Sequence, residues 1–152
     1  YIGKPWQVFW QENCYMGVDI LGICKYHTTF LGATLPNFED WSRVLYYNTG
    51  LELTPRQIWD IAERSNMMER LFNLREGLTR YDLKKGDMLN HRYFDEPCRR
   101  GALDVVGKVI DREKFDKMID EFYEYKGLDK DGFPKPETLK RLGLENEPSH
   151  LL

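Results

Sequence analysis

The chain has 152 residues, 41% hydrophobic and 31% charged, which is enough to bury one sizeable core and unlike the composition of a disordered segment. Its formal charge of −3 argues against nucleic acid or an anionic membrane as the main partner, and it carries neither a bilayer-spanning apolar run nor a signal-peptide pattern. Its three cysteines (Cys14, Cys24, Cys98) lack C-x-x-C spacing, which disfavours both a zinc site closed within the chain and a secreted disulfide framework, so the cytoplasm is the expected compartment.

The pattern predicts helices joined by short turns, with almost no strand signal. Pro5 to Tyr15 reads as a short helix with proline in its first turn, and the Gly17–Gly22 region as the turn that breaks it. A second helix is expected from about Asn37, where Asn37 and Asp40 offer N-terminal acceptors, to just before Gly50. The clearest local signal is Thr54-Pro55-Arg56-Gln57, a capping box with proline at the first helical position. Ile58, Ile61, Ala62, Ser65, Met68, Leu71 and Phe72 then recur at helical spacing, so this helix should reach about Arg75, with Gly77 just past its end. Residues 84–107 read as irregular. A further helix is expected after Asp111, with Phe115, Met118, Ile119, Phe122 and Tyr123 on one face and Gly127 as its stop. A last short helix, Pro136 to Leu142, should stop at Gly143, and residues 145–152 read as a flexible tail. The expectation is one all-α, irregular helical domain over residues 1–152. A first residue of Tyr1 rather than Met is what an excised piece or a processed product would show.

The string Asp19-Ile20-Leu21-Gly22-Ile23-Cys24 concentrates chemistry in a D-x-x-G-x-C pattern. A carboxylate can accept hydrogen bonds from an amino-bearing ring, glycine lets the backbone approach a ligand, and a thiolate can bind a soft metal or an iron–sulfur cluster. Taken alone, the same residues read as well as a turn carboxylate and an inert buried thiol. Asp129-Lys130-Asp131-Gly132 suggests calcium but fails as an EF-hand loop, since Gly127 and Thr138 would occupy its first and last ligand positions. It reads better as a polar turn between helices. His27, His91 and His150 are spaced for neither a metal site nor a triad.

Three further segments follow in order: Leu71-Phe72-Asn73-Leu74-Arg75-Glu76-Gly77-Leu78-Thr79-Arg80, then Asp87-Met88-Leu89-Asn90-His91-Arg92, then Gly127-Leu128-Asp129 through Pro134 to Leu139-Lys140-Arg141-Leu142-Gly143-Leu144. With the D-x-x-G-x-C pattern ahead of them, these resemble the C-terminal part of the tungsten-containing aldehyde:ferredoxin oxidoreductase family, over residues 19–144. The chain departs from the family pattern at Ile23 (usually Leu), at Asn90 (usually Pro in D-x-L-P-x-R) and at Leu128 (more often Trp).

That resemblance implies a helical C-terminal domain of an enzyme holding a tungsten (or molybdenum) bis-pyranopterin and a 4Fe-4S cluster. The enzyme would oxidise an aldehyde to a carboxylic acid with ferredoxin as electron acceptor. Asp19 would bond the amino-pyrimidine edge of the pterin, Gly22 and Ile23 would lie beneath it, and Cys24 would be the cluster's fourth ligand, beside three cysteines of a preceding domain. Asn73, Arg75, Glu76 and Arg92 would brace the cofactor cavity, whereas Cys14 and Cys98 match no ligand position and read as structural. No catalytic acid or base is expected here, and the isolated chain should be inactive and hold neither cofactor. Two alternatives stay open: a relative that reduces an aromatic-ring coenzyme A thioester, and a helical interaction module without cofactors.

Overall fold

A computed structural model describes residues 1–28, 36–81, 86–101 and 105–147. In order they form α1 (Lys4–Leu21), a single 3-10 turn (Lys25–His27), α2 (Phe38–Thr49), α3 (Pro55–Arg75), a one-turn α4 (Arg92–Asp95), α5 (Arg112–Lys126) and α6 (Pro136–Leu142). There is no strand among the described residues, only an isolated bridge between Leu128 and Pro134. The all-α class read from the sequence is the observed one.

The capping box expected at Thr54 forms, and the N-terminal acceptors Asn37 and Asp40 close another at the start of α2. In the first, the Thr54 N–H donates to Gln57 Oε1 (2.8 Å) while the Gln57 N–H donates to Thr54 Oγ1 (3.2 Å). α3 is the central helix and touches α1, α2 and α6, while α1 also lies along α5. Two apolar clusters result. Met67, Tyr123, Leu128, Leu142 and Leu144 join α3, α5 and α6. Val18, Trp41 and Ile58 join α1, α2 and α3, with Leu21, Ile23, Phe38 and Leu53 packed around them.

Polar groups lock these contacts in register. Fully buried Asn13 on α1 accepts from the Asn66 amide of α3 (3.0 Å) and donates to the Phe9 carbonyl (3.0 Å), so both ends of its amide are satisfied. Lys126 of α5 pairs with Glu12 of α1 at 2.8 Å. Arg70 binds Asp87 (2.7 Å) and the Gly132 carbonyl (2.9 Å), and the Tyr123 hydroxyl donates to the same Asp87. Buried Arg80 donates to Asp120 (2.6 Å) and to the Lys130 carbonyl (2.8 Å). Asp129 accepts from the N–H groups of Asp131 and Phe133, both at 2.9 Å, so the segment is the polar turn expected of it.

The structure corrects several expectations. The first helix does not end near Tyr15: it runs through Gly17 and stops at Gly22. Gly17 stays helical because α2 crosses there, and a Cβ at this position would lie 3.4 Å from the rings of both Phe38 and Trp41. On α3, Ile61 and Phe72 are exposed, while Met67, Leu74 and Glu63 are buried. A helix touching neighbours on several sides has no single apolar stripe. The irregular stretch contains α4, whose Phe94 is buried against Phe115. At the chain's end Leu144 is buried, and residues 148–152, most of the expected tail, lie outside the described residues, as does His150.

Candidate functional site

The D-x-x-G-x-C pattern straddles the C terminus of α1. Asp19 is in its last turn, and Gly22 (φ 66°) closes it in the left-handed conformation. The Gly22 N–H donates to the Asp19 carbonyl (3.2 Å) and the Ile23 N–H to the Val18 carbonyl (3.0 Å). This is a Schellman cap, completed by Ile23 packing onto the cluster that holds Val18. Cys24 follows in extended conformation as an exposed free thiol, and Lys25 starts the 3-10 turn. That turn is anchored where buried Thr28 donates through Oγ1 to the Lys25 carbonyl (2.8 Å).

Asp19 is exposed, and its charge sits where the helix dipole opposes a carboxylate. Lys25 offsets this: its Nζ lies 2.8 Å from Asp19 Oδ2 and 4.8 Å from the centre of the Tyr15 ring, one turn earlier on α1. The sequence reading missed both partners, although a cation directly after Cys24 and an aromatic four residues before Asp19 are visible in the chain. Ile20 is exposed, but Leu21 and Ile23 are half-buried against Val18 and Trp41, and Phe30 lies outside the described residues.

The four residues expected to brace the cavity lie at the end of α3 and on α4. Half-buried Asn73 and exposed Arg75 and Glu76 end α3, where Arg75 pairs with Glu76 (3.1 Å) and covers the Phe72 ring. Arg92, on α4, pairs with Glu96 (3.1 Å) and lines a surface groove of about 1030 Å³ with Tyr93, Cys98, Arg99, Arg100 and Lys108. Cys14 is buried, and the Cys98 thiol donates to the Arg100 carbonyl (3.0 Å). Among the described residues no three His, Cys, Asp or Glu side chains gather as a metal-holding group.

The end of α1 thus offers one carboxylate, one open backbone turn and one exposed thiol. Among the described residues, none beyond the neighbours of Gly22 in its own turn comes within 4 Å of where a Cβ on it would stand, which suits a close approach of a planar ligand to that backbone. The donor set suits one edge of an amino-bearing ring and a single bond to a soft metal. A four-thiolate cluster would need its other three ligands from outside this chain.

Residues 1–144 match the family model described as aldehyde ferredoxin oxidoreductase, domains 2 & 3. The chain belongs to the aldehyde ferredoxin oxidoreductase family. It is 34% identical over 128 residues to the tungsten-containing aldehyde ferredoxin oxidoreductase of Pyrococcus horikoshii, covering 84% of this chain and 19% of that protein. It is 33% identical over 113 residues to the aliphatic sulfonate oxidoreductase, WOR-like subunit, of Pyrococcus furiosus, covering 73% of this chain and 18% of that one. Among solved structures, a chain of the active-site complex BamBC of benzoyl coenzyme A reductase, bound to 1,5-dienoyl-CoA, superposes with a TM-score of 0.70 at 24% identity. That match covers 94% of this chain and 19% of the other, and it shows a shared fold. The chain therefore spans about a fifth of the length of its aldehyde ferredoxin oxidoreductase relatives. No described helix is long and apolar enough to cross a membrane.

Proposed function

We propose that this chain is the C-terminal part of a cytoplasmic tungsten (or molybdenum) bis-pyranopterin, iron–sulfur oxidoreductase that oxidises aldehydes to carboxylic acids and passes electrons to ferredoxin. The observation that carries the reading is the capped end of α1, which presents Asp19, the Gly22–Ile23 backbone and the exposed Cys24 thiol on one short turn. When bound, the metal–pterin centre and the cluster supply the redox chemistry. Asp19 would accept hydrogen bonds from the amino edge of the pterin. Gly22 and Ile23 would pass beneath it, their own N–H groups already bonded within the cap. Cys24 would give its thiolate to one iron, beside three cysteines of a preceding domain. Asn73, Arg75, Glu76 and Arg92 would brace the cavity by contacts with those domains, consistent with the exposure of all but half-buried Asn73. The test is Cys24→Ala in the full-length protein. Loss of cluster iron and sulfide supports the reading, and an unchanged content would favour a helical interaction module without cofactors.

A second reading keeps the cofactors and changes the reaction to reduction of an aromatic-ring coenzyme A thioester. The fold shared with the benzoyl coenzyme A reductase chain makes it worth carrying. The relative named for aliphatic sulfonates shares this same portion of chain. Substrate choice would then reside in the preceding domains, and assays of the full-length protein on aldehydes and on benzoyl coenzyme A separate the two readings.

A further inference from the structure

We propose that Lys25 sets the reduction potential of the cluster held by Cys24 and keeps Asp19 positioned for its ligand. The inference rests on the cofactor assignment above and adds to it a residue which that assignment leaves out. Lys25 is the neighbour of Cys24 in the chain, and its ammonium is held at two points: Asp19 Oδ2 at 2.8 Å and the Tyr15 ring at 4.8 Å from its centre. Its backbone is tied as well, through the bond from buried Thr28. The cation is therefore fixed against the last turn of α1, on the residue that follows Cys24 in the chain.

The pair does not exist to stabilise the fold. Both side chains are exposed enough (38% for Lys25 and 54% for Asp19) that such an ion pair contributes little. What it does is local. Asp19 and Lys25 bracket Gly22, Ile23 and Cys24, with the Schellman cap closing one side and the ion pair the other. Cys24 is thereby held in a short loop tied at both ends. The ammonium lies against Oδ2, and a carboxylate has acceptor capacity on both oxygens to offer a ring amine.

A cluster that gains one electron gains one negative charge, and a fixed cation next to its ligand favours that form. Substrate oxidation supplies the electron and the external acceptor removes it. Neutralising Lys25 should therefore lower the potential, and reversing its charge should lower it further.

The test uses the anaerobically purified full-length protein carrying Lys25→Gln, Lys25→Glu or Lys25→Arg. Its readouts are potentiometric EPR titration of the cluster together with iron and pterin contents. Lys25→Gln should shift the one-electron equilibrium toward the oxidised form by about tenfold, about 59 mV. Lys25→Glu should shift it further, and Lys25→Arg should leave it near wild type. Loss of the cluster from Lys25→Gln, with retention at wild-type potential in Lys25→Arg, also supports the proposal. Unmoved potentials in the Gln and Glu variants overturn it, as does loss of the cluster from all three, which would make Lys25 a structural residue only. Cys24→Ala, run in parallel, separates the two levels. Full cluster iron in that variant defeats the cofactor assignment itself, whereas cluster loss there with an unmoved potential in Lys25→Gln defeats only the role of Lys25.

Discussion

At the scale of single residues, Gly22 carries the geometry of the site. Its φ of 66° turns the chain out of α1 so that Ile23 can fall back onto Val18 while Cys24 points outward. Among the described residues a Cβ there meets no packed neighbour, so the cost of adding one is conformational. Gly22→Ala should destabilise the isolated chain by about 1 kcal/mol in urea denaturation, and Gly22→Asn by less, since asparagine tolerates this region better. Equal losses for the two would mean that the cap is not what ends α1. The identity of Gly22 as a special position was visible in the sequence. Its role as a helix cap was not, because a lone glycine looks the same whether the helix stops before it or at it.

Among elements, the joints between helices rest on a few buried charged groups that no periodicity could reveal. Arg141 of α6 makes a two-pronged ion pair with buried Glu63 of α3. Removing one end exposes an asymmetry. Arg141→Ala strands a carboxylate that is only 7% exposed, whereas Glu63→Gln leaves an arginine that is 44% exposed and can rehydrate. The first should cost about 2 kcal/mol, less than a fully buried pair because water reaches the arginine end, and the second about half of that, both read by chemical denaturation. The opposite ranking would show that Glu63 is rehydrated when alone. Tyr123 of α5 supplies a second joint. Burial first, then its hydrogen bond to Asp87, pushes its phenol well above the ordinary tyrosine range. The folded state therefore holds this proton more tightly than the unfolded chain does. Its contribution is fully present below the unfolded value near 10 and is lost progressively as pH rises beyond it. Tyr123→Phe should cost about 1 kcal/mol at neutral pH and flatten the decline in stability above pH ~10. A parallel decline in both proteins would place the alkaline sensitivity elsewhere.

For the whole molecule, the candidate site lies on the smaller of the two apolar clusters, at the end of one helix, with the rest of its ligands outside the chain. One thiolate cannot hold a cubane cluster, so the purified chain is expected to bind neither iron–sulfide nor tungsten, and stoichiometric metal by elemental analysis would refute this. The helical class, the N-terminal acceptors Asn37 and Asp40, the capping box at Thr54, the glycine stops at Gly50, Gly127 and Gly143, and the family were all legible in the chain. All of these are written in local residue order, because caps and stops act within one helical turn. Three features emerged with the packed helices: α1 continues through Gly17, Ile61 and Phe72 face outward while Met67 is buried, and Lys25 holds Asp19. The first two depend on which neighbours a helix meets. The third depends on a chain that reverses at Gly22 and folds its cation back onto the last turn of α1, a path that the Schellman cap and the Thr28 anchor define together.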